Sequence, residues 1–198
     1  MSNNLNISPL HFDHKLGLFG DHDGKGDLLK ISELQGYFIF QVAKFKKSNV
    51  DINSVRIDNL NLPSENPHVT SNDQTRVLWS GPNVWIVISK KTDIDTVIQS
   101  SCNENDFAIT DLSHSRAAIK LEGPKALDVL KKGSPLNFNE EVFKANHCAS
   151  TTYNGINILI DYINSNPKTL HLYALRSFGG SFYHSITDSA LEYGYEGV

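Results

Sequence analysis

Between Asp111 and Arg116 the sequence reads Asp-Leu-Ser-His-Ser-Arg, placing an acid, a hydroxyl and an imidazole within six positions. These are the residue types of a nucleophile, its base and an orienting acid. A Ser-His-Asp triad, however, needs the three groups brought together by the fold through Ser–His and His–Asp hydrogen bonds. In extended chain neighbouring side chains alternate faces, so Ser113 and His114 point apart. No Gly-x-Ser-x-Gly elbow occurs elsewhere in the chain. The stretch reads better as a connection between strands in which Asp111 and Ser113 satisfy backbone amides.

Other polar groupings in the sequence also fall short of the chemistry their residue types suggest. The stretch Asp21–Ser32 has Asp21, Asp23 and Gly26 at calcium-loop spacing, but Lys25 and Ser32 occupy two ligand positions, and an ammonium there repels the cation. His11, Asp13, His14 and His22 share one segment without a helix to hold the histidines in register, which reads as a solvated arm. Neither "GDHDGKGD" nor "FGGS" has the spacing of a phosphate-cradling loop. Arg116 and Arg176 each sit at the edge of an apolar strand. Such arginines usually pair with a carboxylate, here Asp111 or Glu122, while an anion or a carboxylate of a partner subunit is the minority reading. Trp79 and Trp85 read as core anchors, with an interface anchor as the alternative.

Elements must position these residues. Residues 1–35, with Gly17, Gly20, Gly24 and Gly26 among Asp, His and Lys, read as an irregular arm. The run 36–46 is rich in aromatic and β-branched residues and predicts a strand, followed by a short helix near 50–59 and a Pro63- and Pro67-containing loop. "RVLWSGPNVWIVIS" predicts a hairpin turning at Ser80–Asn83, and a helix over Ile94, Val97 and Ile98 is expected to be capped by Thr92. A strand "DFAIT" leads into the central motif. Beyond it, Ala117, Ile119 and Leu121 alternate on a strand. "GPKALDVLKKG" has Pro124 in its first turn and Gly133 at its end, as a helix does. A second hairpin turns at Asn154-Gly155, "TLHLYALRS" is a strand, and a helix over about 180–193 closes the series. The order is approximately βαββαβ followed by βαβββα. The fold class is therefore α+β, built as two ferredoxin-like (split βαβ) halves over 36–113 and 114–198.

Composition narrows the function. A chain of 198 residues with 39% hydrophobic and 20% charged residues can bury a core. Its net charge of -4 offers no basic field, so neither nucleic acid nor membrane is an expected partner. Apolar runs such as "VWIVI" and "INILI" fall far below the ~20 residues of a bilayer-crossing helix, and the start of the sequence lacks the pattern of a secretion signal. Cys102 and Cys148 have no second cysteine near either, which argues against a disulfide framework and fits a reducing cytoplasm.

Three motifs in order carry a family resemblance: "WSGPNVW" with Trp79, Gly81, Pro82 and Trp85; "DLSHSRAAIKLEGPKALDVLKKGSPLNF" with Asp111, Ser113, His114, Arg116, Gly123 and Gly133; and "ALRSFGGSFYHSITDSALEYG" with Arg176 and Ser177. Together they resemble the gamma subunit of heterotetrameric sarcosine oxidase, and Ser8–Leu10 resembles that family's usual start. In "WSGPNVW", Asn83-Val84 replaces the family's usual acidic pair.

The resemblance implies a fold similar to the folate-binding domain of glycine-cleavage aminomethyltransferases. It implies a non-catalytic place in a complex that demethylates sarcosine oxidatively to glycine, with hydrogen peroxide and methylene-tetrahydrofolate as further products. FAD, FMN, NAD and tetrahydrofolate would belong to the alpha and beta subunits and zinc to delta. This chain is expected to carry no catalytic, cofactor-binding or metal residue, and its motif residues to be structural or interface positions. Two alternatives remain: a free-standing folate-binding or aminomethyl-transfer protein, and an accessory factor of the folate-dependent iron–sulfur repair type. The latter relies on a cysteine motif that neither Cys102 nor Cys148 supplies.

Overall fold

A computed structural model describes residues 7–198. The strands are β1 (Gly17–Phe19), β2 (Leu29–Glu33), β3 (Phe38–Lys44), β4 (Arg56–Ile57), β5 (Leu60–Asn61), β6 (Val69–Ser71), β7 (Thr75–Gly81), β8 (Val84–Ser89), β9 (Phe107–Asp111), β10 (Arg116–Glu122), β11 (Cys148–Tyr153), β12 (Ile156–Ser165), β13 (Lys168–Leu175) and β14 (Tyr195–Gly197). The helices are α1 (Ile94–Ser101), α2 (Ala126–Gly133) and α3 (Gly179–Ala190).

Two sheets dominate. One has five strands in the order β6-β7-β8-β3-β9, and the other seven in the order β1-β14-β2-β10-β13-β12-β11. All pairings in them are antiparallel except that of β14 with β2. Alternation decides what each face buries. On β10, Ala117, Ile119 and Leu121 face the core shared with α2 and α3, while Ala118 faces the other sheet. On β8, Trp85 and Val87 face α1, whereas Ile86 and Ile88 turn toward the seven-stranded sheet. The result is four layers: helix, sheet, sheet, helix, with a thin apolar seam of Ile39, Leu78, Ile86, Ile88, Ala118, Cys148 and Tyr173 between the sheets. The α+β class is therefore the one observed.

The turns follow the chemistry of their residues. Asn154 and Gly155 both have positive φ, 47° and 82°, the backbone of a tight hairpin turn that joins β11 to β12. Gly123 leaves β10 at φ 134°, and a Cβ there would lie 3.1 Å from the Leu28 carbonyl oxygen, so glycine alone fits comfortably. At Gly133 a Cβ would come within 2.7 Å of the Tyr153 ring, which packs directly over the end of α2.

Three local expectations are corrected. The reading of 1–35 as an irregular arm fails within the described residues, because β1 and β2 both join the seven-stranded sheet; positions 1–6 lie outside them. Leu29 and Ile31 supply the reason: they alternate into the main core, a two-residue period obscured by the surrounding glycines and charges. The helix expected near 50–59 is reduced to a 3-10 turn at Ile52–Ser54 followed by β4, since Asp58 and Asn59 adopt positive φ and form the β4–β5 turn. Thr92 does not cap α1; Asp93 occupies the cap position and makes no side-chain capping bond.

Candidate functional site

The short passage from β9 to β10, residues 112–115, carries the chain from one sheet to the other, and its polar groups are engaged by backbone. The Ser113 amide donates to Asp111 Oδ1 at 2.8 Å. Ser113 Oγ accepts from the Ile39 amide at 3.0 Å, and Ser115 Oγ donates to the Leu112 carbonyl at 2.9 Å. Asp111 is held below its ordinary carboxylate value: burial opposes this, and the hydrogen bonds from Ser113 outweigh burial. His114 is exposed. Ser113 and His114 thus form part of a crossing, and the structure does not bring Ser113, His114 and Asp111 together as a relay.

Other motif residues fall at distinct places. Trp85 is buried in the core under α1 and donates its indole N–H to the Pro63 carbonyl at 2.8 Å. Trp79 lies opposite it in register on β7 and is half-buried. Gly81 closes β7, and Pro82 is exposed in the turn. Arg176 and Ser177 begin a 3-10 turn ahead of α3 and are exposed, with the Arg176 guanidinium donating to the Ile7 carbonyl. In the early segment, Lys25 pairs with Asp21 at 2.9 Å, and His184 Nε2 lies 2.8 Å from Asp13 Oδ1, tying this segment to α3.

The seam between the sheets contains the features the sequence did not show. At one end, Arg76 on β7 forms a two-pronged ion pair with Asp161 on β12, Nε to Oδ2 at 2.6 Å and the second nitrogen to Oδ1 at 2.8 Å. Asp161 is fully buried. Burial pushes its carboxyl up while the guanidinium pulls it back; burial lowers Arg76, yet Asp161 leaves the guanidinium above its ordinary value. Beside the pair, burial and the charges of Arg76 and Lys120 push His171 down to about 3. The Cys148 amide donates to the Pro67 carbonyl at 2.7 Å, stitching the sheets by backbone. Burial and the nearby Asp161 raise the Cys148 thiol to about 12, and burial raises Cys102 to about 11, so both stay protonated at neutral pH. No signal within a local window could have paired Arg76 with Asp161, which are 85 positions apart.

At the other end the sheets part around a cavity of about 630 Å³. Ile39, Ile86 and Ile88 wall it from the five-stranded sheet, and Ile158, Leu159 and Tyr173 from the other. Arg116 lines it too. The expected carboxylate partners do not serve: Asp111 binds Ser113, and Glu122 pairs with Lys120 at 2.7 Å. The one hydrogen bond of the Arg116 guanidinium among the described residues is a 3.4 Å contact to Ser115 Oγ. Burial alone pushes the guanidinium below its ordinary value, with no acid to restore it.

No helix of the described residues is long and apolar enough to cross a membrane. No protein-family model matches the chain. Over 121 residues, 60% of this chain, it is 26% identical to the sarcosine oxidase subunit gamma of Corynebacterium sp. (strain U-96). It is also 26% identical over 125 residues, 63% of the chain, to that of Corynebacterium sp. (strain P-1). These matches span only 58% and 61% of the relatives' own length. Among solved structures, a chain of the heterotetrameric sarcosine oxidase from Corynebacterium sp. U-96 superposes with a TM-score of 0.75 at 21% identity, covering 83% of this chain and 85% of that one. The glycine cleavage system aminomethyltransferase T from Bartonella henselae gives 0.61 at 10% identity, covering 90% of this chain and 56% of that one. The resemblance drawn from three motifs therefore stands: this chain is similar in sequence to sarcosine oxidase gamma subunits, and it has the fold shared by a chain of that enzyme and aminomethyltransferase T.

Proposed function

We propose that this chain is the gamma subunit of a heterotetrameric sarcosine oxidase. In this reading it packs against alpha and beta subunits, with delta completing a cytoplasmic complex that oxidatively demethylates sarcosine to glycine. FAD, FMN, NAD and tetrahydrofolate reside on the partners, as they do in the family the sequence resembles. Two observations support assigning the redox work elsewhere: the sequence has no dinucleotide fingerprint, and the Asp111–Arg116 stretch is engaged in joining the sheets. The observation that carries the proposal is the joint likeness, in sequence to gamma subunits and in fold to a chain of the heterotetramer.

The architecture is read as one compact unit of two split-βαβ halves. In the five-stranded sheet, β3, the β7–β8 hairpin, α1 and β9 follow that connectivity, with a 3-10 turn in place of the first helix. In the seven-stranded sheet β10, α2, the β12–β13 hairpin and α3 follow it, and β2 from the early segment lies between β10 and β14. Trp79, Gly81, Pro82, Trp85, Gly123 and Gly133 then act as structural positions, and the exposed His114, Arg176 and Ser177 as interface positions.

A tagged pull-down from the native host, followed by a visible absorption spectrum, tests the assignment. Larger chains should co-elute with flavin bands that bleach on adding sarcosine. A lone, colourless chain overturns it and leaves the free-standing folate-binding reading, which tetrahydrofolate titration then examines.

A further inference from the structure

The cavity between the sheets combines apolar walls with Arg116, a guanidinium that no acid of the described residues pairs. About 630 Å³ falls within the range of small-molecule sites. Two opposed apolar walls, Ile86 and Ile88 against Ile158 and Tyr173, favour a flat hydrocarbon or aromatic body between them. Gln41, Thr152 and Asn157 add hydrogen-bonding groups at its lining. Arg116 also lines a second cavity of about 330 Å³, which holds His114 and Arg176. The acids of that second cavity are already engaged: Asp111 by the Ser113 amide, and Glu33 by Ser8 and Gln35.

A half-buried guanidinium without a carboxylate is costly to hold, and its planar fork matches a carboxylate better than any other anion except phosphate. An Asp or Glu reaching in from another protein would satisfy the charge but leave the apolar walls unfilled. An apolar molecule would fill the walls and leave the charge. We propose that the intersheet cavity binds a small organic acid whose flat, largely apolar body lies between the two sheets and whose carboxylate pairs with Arg116. This stands independently of the subunit assignment.

The full chain is titrated calorimetrically with 2-naphthoate and with its neutral counterpart 2-naphthamide. One naphthoate should bind per chain, with naphthamide about tenfold or more weaker, the ratio that one lost ion pair of modest strength produces. Arg116→Met should erase the preference by weakening naphthoate alone. Arg116→Lys, which keeps the charge and loses the fork, should fall between. Ile88→Trp, filling the cavity, should weaken both. Equal affinity for the two compounds, absence of naphthoate binding at millimolar concentration, or unchanged preference in Arg116→Met each overturns the proposal in favour of a protein carboxylate as the partner of Arg116. The two-compound comparison on the unaltered chain decides the matter even where a variant fails to fold. None of these outcomes bears on whether flavin-bearing chains co-purify.

Discussion

Arg76 and Arg116 occupy the same seam, each on a strand whose neighbours turn their side chains toward the opposite sheet. Around Arg76 the seam is closed: Asp161 meets the guanidinium with two hydrogen bonds, and Cys148 adds a backbone bond across the sheets. Around Arg116 the sheets stand apart, and the charge faces open volume. Two identical side chains therefore have opposite relations to the fold. The first is matched inside the molecule, where removing one partner strands the other. The second is matched by nothing within the described residues, so the fold does not depend on it.

The largest expected effect tests the closed end. Asp161→Ala leaves a buried guanidinium alone and should lower unfolding free energy by about 3–5 kcal/mol in urea titrations. A loss no larger than that of Arg116→Met would break the contrast. Next comes pH. His171 has its folded pKa depressed to about 3, so the unfolded chain binds a proton that the folded chain refuses. The stability contributed by neutral His171 is present above its ordinary value near 6.5. It should be lost as pH falls from there toward about 3, with a slope on the order of 1 kcal/mol per pH unit. His171→Gln should flatten that slope; an unchanged profile would remove His171 from the closed end's account. A smaller change is expected from Arg76→Met combined with Asp161→Leu, which replaces both charges with apolar groups and should recover most of the single-variant loss, to within about 1 kcal/mol of the native chain. Failure to recover would mean the pair does more than offset its own desolvation. The smallest effect is reserved for Arg116→Met, whose melting transition should move by no more than about 0.5 kcal/mol equivalent. A larger drop would show that Arg116, too, is matched internally.

Much of this architecture was legible because its signals are local. The turn at Asn154-Gly155, the hairpin around Pro82-Asn83 and the Pro124-to-Gly133 helix all announce themselves within ten residues or so. The early strands were obscured because β2 shows only two inward residues, Leu29 and Ile31, in a segment whose glycines and charges speak for a loop. The alternation of an extended chain separates Ser113 from His114, which makes the central motif legible as a connection between strands; that it passes from one sheet to the other is visible only in the structure. The seam was beyond reach. Arg76 and Asp161 are brought together solely by sheet packing, and the volume beside Arg116 exists only where two sheets diverge. Pairing of Arg116 with Asp111 or Glu122 is what the average behaviour of arginine predicts, but in the structure each acid has a nearer partner, Ser113 and Lys120.

Strand β2 lies between β14 and β10, so residues 29–33 are held on one side by residues 195–197 and on the other by residues 119–122. A ribosome adding about 5–20 residues per second would expose β2 several seconds before β10 emerges, and longer still before β14. During that interval Leu29 and Ile31 have no partner strand, and the five-stranded sheet, whose members are contiguous in sequence, can assemble first. The order of synthesis thus gives the molecule a waiting strand open to capture by a chaperone or a neighbouring nascent chain, and β14, made after both β2 and β10, is the strand that encloses it.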